Sequence, residues 1–157
     1  MQNEVDESSI IKANSQFWEQ MLAMKLDPMV SPDQFCLGPG HMLGTVGLSG
    51  AWTGHIDVRL DERLTQQATA AMLMQPLETV VEADALDAAK EIANMIAGAI
   101  KSSLPRPCAM TVPVSAVESE SYCGQMRNKY SVAVAFHHDA GDIMVSVVMH
   151  LPSEEEQ

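Results

Sequence analysis

Apolar positions recur along this chain with two periods, one near 3.6 residues and one of 2, and the changes of period divide it into elements. The clearest helical stretch runs from Asp84 to Leu104, DALDAAKEIANMIAGAIKSSL. At about 100° per residue, Ala85, Leu86, Ala89, Ala93, Ile96, Ala97, Ile100 and Leu104 gather on one side, with Asp84, Asp87, Glu91, Asn94 and Gly98 opposite. Pro105 and Pro107 end it. An earlier helix is expected from a cap at Ser8 or Ser9 to about Lys25, stopped by Asp27-Pro28. Its buried stripe reads Ile10, Phe17, Met21 and Met24, with Trp18 at the edge and Asn14 inside. A shorter helix, ERLTQQATAAMLMQ, is expected to be capped by Asp61 and ended by Pro76, its methionines filling core.

Between the helices the period falls to 2. Met42 to Leu60 reads as a hairpin turning near Ser49-Gly50, preceded by a Pro- and Gly-rich loop from Met29 to His41. After the long helix come a strand, CAMTVPVSAV, a polar turn region, ESESYCGQMRN, and a second hairpin, KYSVAVAF and DIMVSVVMHL, joined through HHDAGD. The expected fold class is α/β, with long helices packed on a largely antiparallel sheet. A long helix followed by paired strands occurs once in each half, a weak internal duplication in which Ile11-Lys12-Ala13-Asn14 can be set beside Glu91-Ile92-Ala93-Asn94. The tail, SEEEQ, is expected to lack fixed structure.

Composition narrows the function classes. A length of 157 residues with 46% hydrophobic content suits a single domain, 1–157, with a folded core over 8–151. Nine basic against twenty-one acidic residues give a net charge of −12, which argues against nucleic acid or an anionic membrane as partner. The start, MQNEVDESS, lacks the basic and apolar segments of a signal peptide, and no apolar run approaches the roughly 20 residues of a membrane span, so the expected location is cytoplasmic. Cys36, Cys108 and Cys123 are odd in number and widely separated, without CxxC pairing. They are expected to be reduced structural thiols, with neither a disulfide nor a zinc site.

Most familiar catalytic patterns are missing. There is no GxxxxGK[ST], no GxGxxG opening a helix and no GxSxG. His137-His138-Asp139-Ala140-Gly141-Asp142 matches HHxxxD, but a polar turn between apolar strands accounts for it. His41, His55, His137, His138 and His150 show no i, i+4 spacing, so no metal site is expected. Asp84, Asp87 and Glu91 share one helix face, which supplies no second wall for glycosidase chemistry. What stands out is Glu91, Asn94 and Gly98 at i, i+3 and i+7, stacking a carboxylate, a carboxamide and a bare backbone patch along one ridge.

The string EIANMIAG, from Glu91 through Asn94 to Gly98, resembles the ExxN signature of the CheC/CheX/FliY family of chemotaxis phosphatases. The order of elements over about residues 8–151 is similar as well, and a single signature looks CheX-like, since CheC-type members usually carry two. The resemblance implies a phosphatase acting on the phospho-aspartate of a CheY-like receiver domain. Asn94 would orient water, Glu91 would pair with the receiver's phosphate-site lysine, Gly98 would admit the receiver's backbone, and Met95 would add apolar contact. No cofactor of its own is implied, because the receiver brings the Mg²⁺. A homodimer is implied too. Two other readings of the ridge are a non-catalytic module binding a phosphorylated receiver and a dimerisation or flagellar-switch component.

Overall fold

A computed structural model of the chain describes residues 5–29, 35–123 and 131–150. The tail SEEEQ, residues 124–128 of the polar turn region and residues 129–130 of the expected strand KYSVAVAF lie outside the described residues. The first helix begins with α1 (Glu7–Ser15) and widens into a π-helical turn, Gln16–Met21. Asp6 caps it, where Ser8 or Ser9 was expected: its carboxylate accepts from the Ser9 backbone N–H at 2.9 Å and the Ser9 hydroxyl at 3.1 Å. A short strand, β1 (Asp27–Pro28), follows. Strands β2 (Cys36–Leu37), β3 (Met42–Gly50) and β4 (Gly54–Leu60) precede α2 (Glu62–Leu73). Next come a 3₁₀ turn (Leu77–Thr79) and the long helix α3 (Glu82–Lys101). The chain continues through β5 (Cys108–Met110), β6 (Val114–Val117), β7 (Tyr122–Cys123), β8 (Ser131–His138) and β9 (Gly141–Met149).

The main sheet is antiparallel in order β1-β8-β9-β4-β3-β5, with β6 also on β3. The two hairpins meet through β4 and β9, Asp57 facing Ser146 at the middle of the pairing. The first hairpin turns at residues 51–53, slightly later than Ser49-Gly50, because Leu48 is already paired with Gly54. The stretch expected as one strand, CAMTVPVSAV, is broken in two. Leu48 opposes Met110 but Thr45 opposes Val114, so one extra residue is absorbed at Thr111–Pro113, where proline cannot donate to the ladder.

Alternation along the strands sends Val46, Leu48, Ile56, Val58, Val134, Phe136, Val145 and Val147 to the face covered by the helices. The other face carries a smaller cluster of Phe35, Leu37, Ala133, Ala135 and Met144, beneath the two-stranded ribbon β2–β7. There the sequence expectation fails. Cys36 and Cys123 lie opposite each other in the ribbon and are joined as a disulfide, and of the three cysteines only Cys108 is a free, buried thiol. Tyr122 and Cys123, expected in a polar turn, are strand residues.

Several side chains depart from the sequence reading. Trp18 is fully buried, while Met21 is 58% exposed because the π turn rotates the end of the helix relative to a 3.6-residue period. Met74 is 92% exposed, in a left-handed C-cap position, so it is not core filler. Asp61 occupies the N-cap position of α2, but its carboxylate accepts from the Asp142 backbone N–H at 2.7 Å instead of capping.

Candidate functional site

The ridge belongs to α3, whose helicity follows from an alanine-rich sequence with Glu82 and Asp84 in its first turn and Lys101 in its last, each complementing the helix dipole. Its inner face combines short side chains with branched ones. Ala85, Ala89, Ala93 and Ala97 are fully or almost fully buried together with Ile92, Ile96 and Ile100. At Gly44 of β3 the approach is closest: a Cβ placed there would lie 2.6 Å from the Ala89 carbonyl oxygen and 2.8 Å from the Ala93 Cβ. From the side, the Ser115 hydroxyl donates to the Leu86 carbonyl at 2.8 Å, tying β6 to α3.

On the outer face, Glu91 and Gly98 are exposed and Asn94 is half-buried. Lys90, next to Glu91, pairs with Asp87 at 3.8 Å, which leaves the Glu91 carboxylate without an ion pair among the described residues. The Asn94 carboxamide likewise makes no hydrogen bond with a described residue. Gly98 has open space around the position of an added Cβ, with no described residue within 4 Å. Nothing inside the fold therefore requires a glycine here, in contrast to Gly44. Met95 packs partly against the chain's own core and is half-buried.

Asn14, set beside Asn94 in the sequence, occupies a different setting. It is fully buried, and its Oδ1 accepts from the Trp18 indole N–H at 3.0 Å. The histidines also find separate local partners. His137 Nδ1 lies 2.7 Å from Asp142 across the β8–β9 pair, His41 Nε2 lies 2.7 Å from Glu118, and His55 Nδ1 lies 2.6 Å from His150 Nε2. The HHxxxD residues are thus a cross-strand ion pair and its turn. Among the described residues no three His, Cys, Asp or Glu side chains are grouped to hold a metal.

The stripe that carries the ridge continues past Gly98. Lys101 follows at i+10 from Glu91, in the same helical stripe, and the period alone could have reached it. Arg106 lies beyond the helix, where no periodicity applies. Together with Gly98, Ser102, Pro107 and Cys108 these two residues line a depression of about 480 Å³.

Residues 42–137, more than half of the chain and including the whole of α3, match the family model described as chemotaxis phosphatase CheX. The chain belongs to the CheX family. No curated protein sequence matches it. Among solved structures, the chemotaxis protein CheX from Vibrio vulnificus is similar with a TM-score of 0.73 at 18% identity, covering 96% of this chain and 100% of that one. A CheC-like superfamily protein from Shewanella sp. PV-4 gives 0.73 at 18% identity, over 92% and 96%. CheX in the CheX-CheY-BeF3-Mg²⁺ complex from Borrelia burgdorferi gives 0.62 at 19% identity, over 95% and 100%. At these identities the likeness establishes the CheX fold: helices on a largely antiparallel sheet. No helix among the described residues is long and apolar enough to cross a membrane.

Proposed function

We propose that this CheX-family chain hydrolyses the phospho-aspartate of a CheY-like receiver domain by laying the Glu91–Asn94–Gly98 ridge into the receiver's active site. The observation that carries the reading is that two polar side chains without a partner among the described residues share one helix face with an open glycine. The Borrelia relative was solved with CheY, BeF3 and Mg²⁺, and trifluoroberyllate is a general stand-in for a phosphoryl group on a carboxylate.

The chemistry asks little of the phosphatase. An acyl phosphate has a good leaving group, and Mg²⁺ on the receiver neutralises the phosphoryl oxygens, so what is needed is a water held in line. The Asn94 carboxamide oxygen accepts a hydrogen bond from that water and fixes its position. Glu91, one turn away, pairs with the receiver's phosphate-site lysine and sets the register of docking. Because Asn94 does not titrate and no histidine lies on the ridge, the chemical step is flat between about pH 6 and 8.

The test is phosphate release from a Mg²⁺-bound receiver domain phosphorylated with acetyl phosphate, for wild type and Asn94→Ala together. Wild type accelerates the decay, and Asn94→Ala loses about 10²-fold or more, the scale of lost positioning, while still binding the receiver. Binding without acceleration would make the chain a non-catalytic receiver module. No phosphorylation-dependent binding at all would leave a dimerisation or switch component.

A further inference from the structure

The ridge carries opposite charges at its two ends. Glu91 stands at one end, and Lys101, in the same stripe, stands at the other beside Arg106. A lysine in the last turn complements the helix dipole, which would account for Lys101 alone. It does not account for Arg106, which lies past the helix between Pro105 and Pro107, two rings that fix φ on either side of it.

Two of the other cations on the folded surface are paired with local carboxylates, and Lys12, Lys25 and Arg63 have no ion pair among the described residues. Arg59 lies 3.2 Å from Glu118 and 3.7 Å from Asp57, and Lys90 lies 3.8 Å from Asp87. Lys101 and Arg106 also lack such a pair among the described residues, and these two line one depression together. In a molecule of net charge −12, two cations without an ion pair among the described residues, sharing one depression with the open Gly98, form a local field of the opposite sign.

We infer that Lys101 and Arg106 form a cationic anchor that takes an acidic segment of the receiver domain, about 15 Å along the helix from the Glu91 contact at 1.5 Å per residue. The inference rests on the proposed docking of the ridge. A receiver that holds Mg²⁺ beside its phospho-aspartate gathers carboxylates around that site, since Mg²⁺ takes oxygen ligands. The rim that receives the ridge is therefore acidic, and this chain's overall charge would repel it. The Lys101–Arg106 depression offsets the repulsion where the two surfaces meet. With an anion at one end and cations at the other, the ridge docks in one direction only, and the reversed orientation sets like charges together.

The experiment uses the full chain and the receiver domain loaded with BeF3⁻ and Mg²⁺ for binding, and the acetyl-phosphate-treated receiver for turnover. Lys101→Glu/Arg106→Glu binds about 10-fold more weakly at about 50 mM salt, and the gap closes toward about 0.5 M salt as screening removes it. The half-saturating receiver concentration rises in step, while the rate at saturation changes by less than about 2-fold, because rim charges act on encounter and not on the in-line water. Lys101→Gln/Arg106→Gln falls between, and it decides the matter if the doubly reversed chain does not fold. Equal affinity of wild type and either double variant at low salt overturns the anchor while leaving the proposed function standing, provided wild type binds and Asn94→Ala is inactive. If wild type neither binds nor accelerates decay, the proposed function fails and the anchor falls with it.

Discussion

Gly98 is the residue at which the demands of the fold and of the site part company. In a helix interior, glycine costs about 0.5–1 kcal/mol relative to alanine, and the open space at this position would accept a methyl group without a clash. Gly98→Ala therefore unfolds at a higher urea concentration than wild type. If Gly98 is bare so that a receiver backbone can approach, the same substitution lowers phosphatase turnover, and Gly98→Leu lowers it further. A more stable chain with full turnover would show that the glycine serves no docking role. Glu91, Asn94 and Gly98 were legible in the sequence because a 3.6-residue period places them together without any knowledge of the sheet. Arg106 was not, since only the folded path after Pro105 returns it to the ridge.

Among the elements, α3 was the most legible and the first helix the least. The apolar stripe of α3 is continuous, and its observed span, Glu82–Lys101, differs from the expected one by a few residues at each end. The first helix obeys a single period only through Ser15. In the π turn that follows, hydrogen bonds reach one residue further, so a stripe extrapolated at 3.6 residues assigned Met21 to the core and Trp18 to its edge, the reverse of what is found. Asn14 sits where the two parts join and supplies the acceptor for Trp18. Asn14→Ala leaves a buried indole N–H unpaired, a loss of about 1–3 kcal/mol. The value falls toward the lower end because the substitution also removes Nδ2, which has no partner among the described residues. Urea unfolding measures the loss, and Lys12→Ala, exposed on the same helix, serves as the control and stays within about 0.5 kcal/mol of wild type. Strands were legible wherever alternation was clean. The ribbon β2–β7 was hidden because two-residue strands are too short to show a period, and with it the pairing of Cys36 and Cys123 across 87 residues of chain.

At the scale of the whole molecule, stability carries a pH signature from the sheet face opposite the helices. The hydrogen bond with Asp57 holds His55 above its ordinary value near 6.5, against the opposing effects of burial and of Arg59. Burial alone would raise Asp57, but hydrogen bonds from His55 and Thr45, together with the charges of His55 and Arg59, bring it below its ordinary value near 3.8. A raised histidine contributes stability that is full below about pH 6.5 and lost as pH rises through its folded value; a depressed aspartate contributes stability that is full above about pH 4 and lost in acid. The pair therefore supports the fold most between about pH 4 and 6.5. Urea midpoints for wild type fall from pH 5.5 to pH 8.5, and His55→Gln, which removes this one titrating group and leaves the others in place, shows a smaller fall. Equal slopes would remove His55 from the account. At the same scale, the row of alanines under α3 and the bare Gly44 beneath it act as a shim of fixed thickness. Where Gly44 meets Ala89 and Ala93 there is no long side chain to repack, so a bulkier residue at that point would have to lift the helix. The height at which Asn94 stands is thereby gauged from below, by Gly44 on the buried side of the helix.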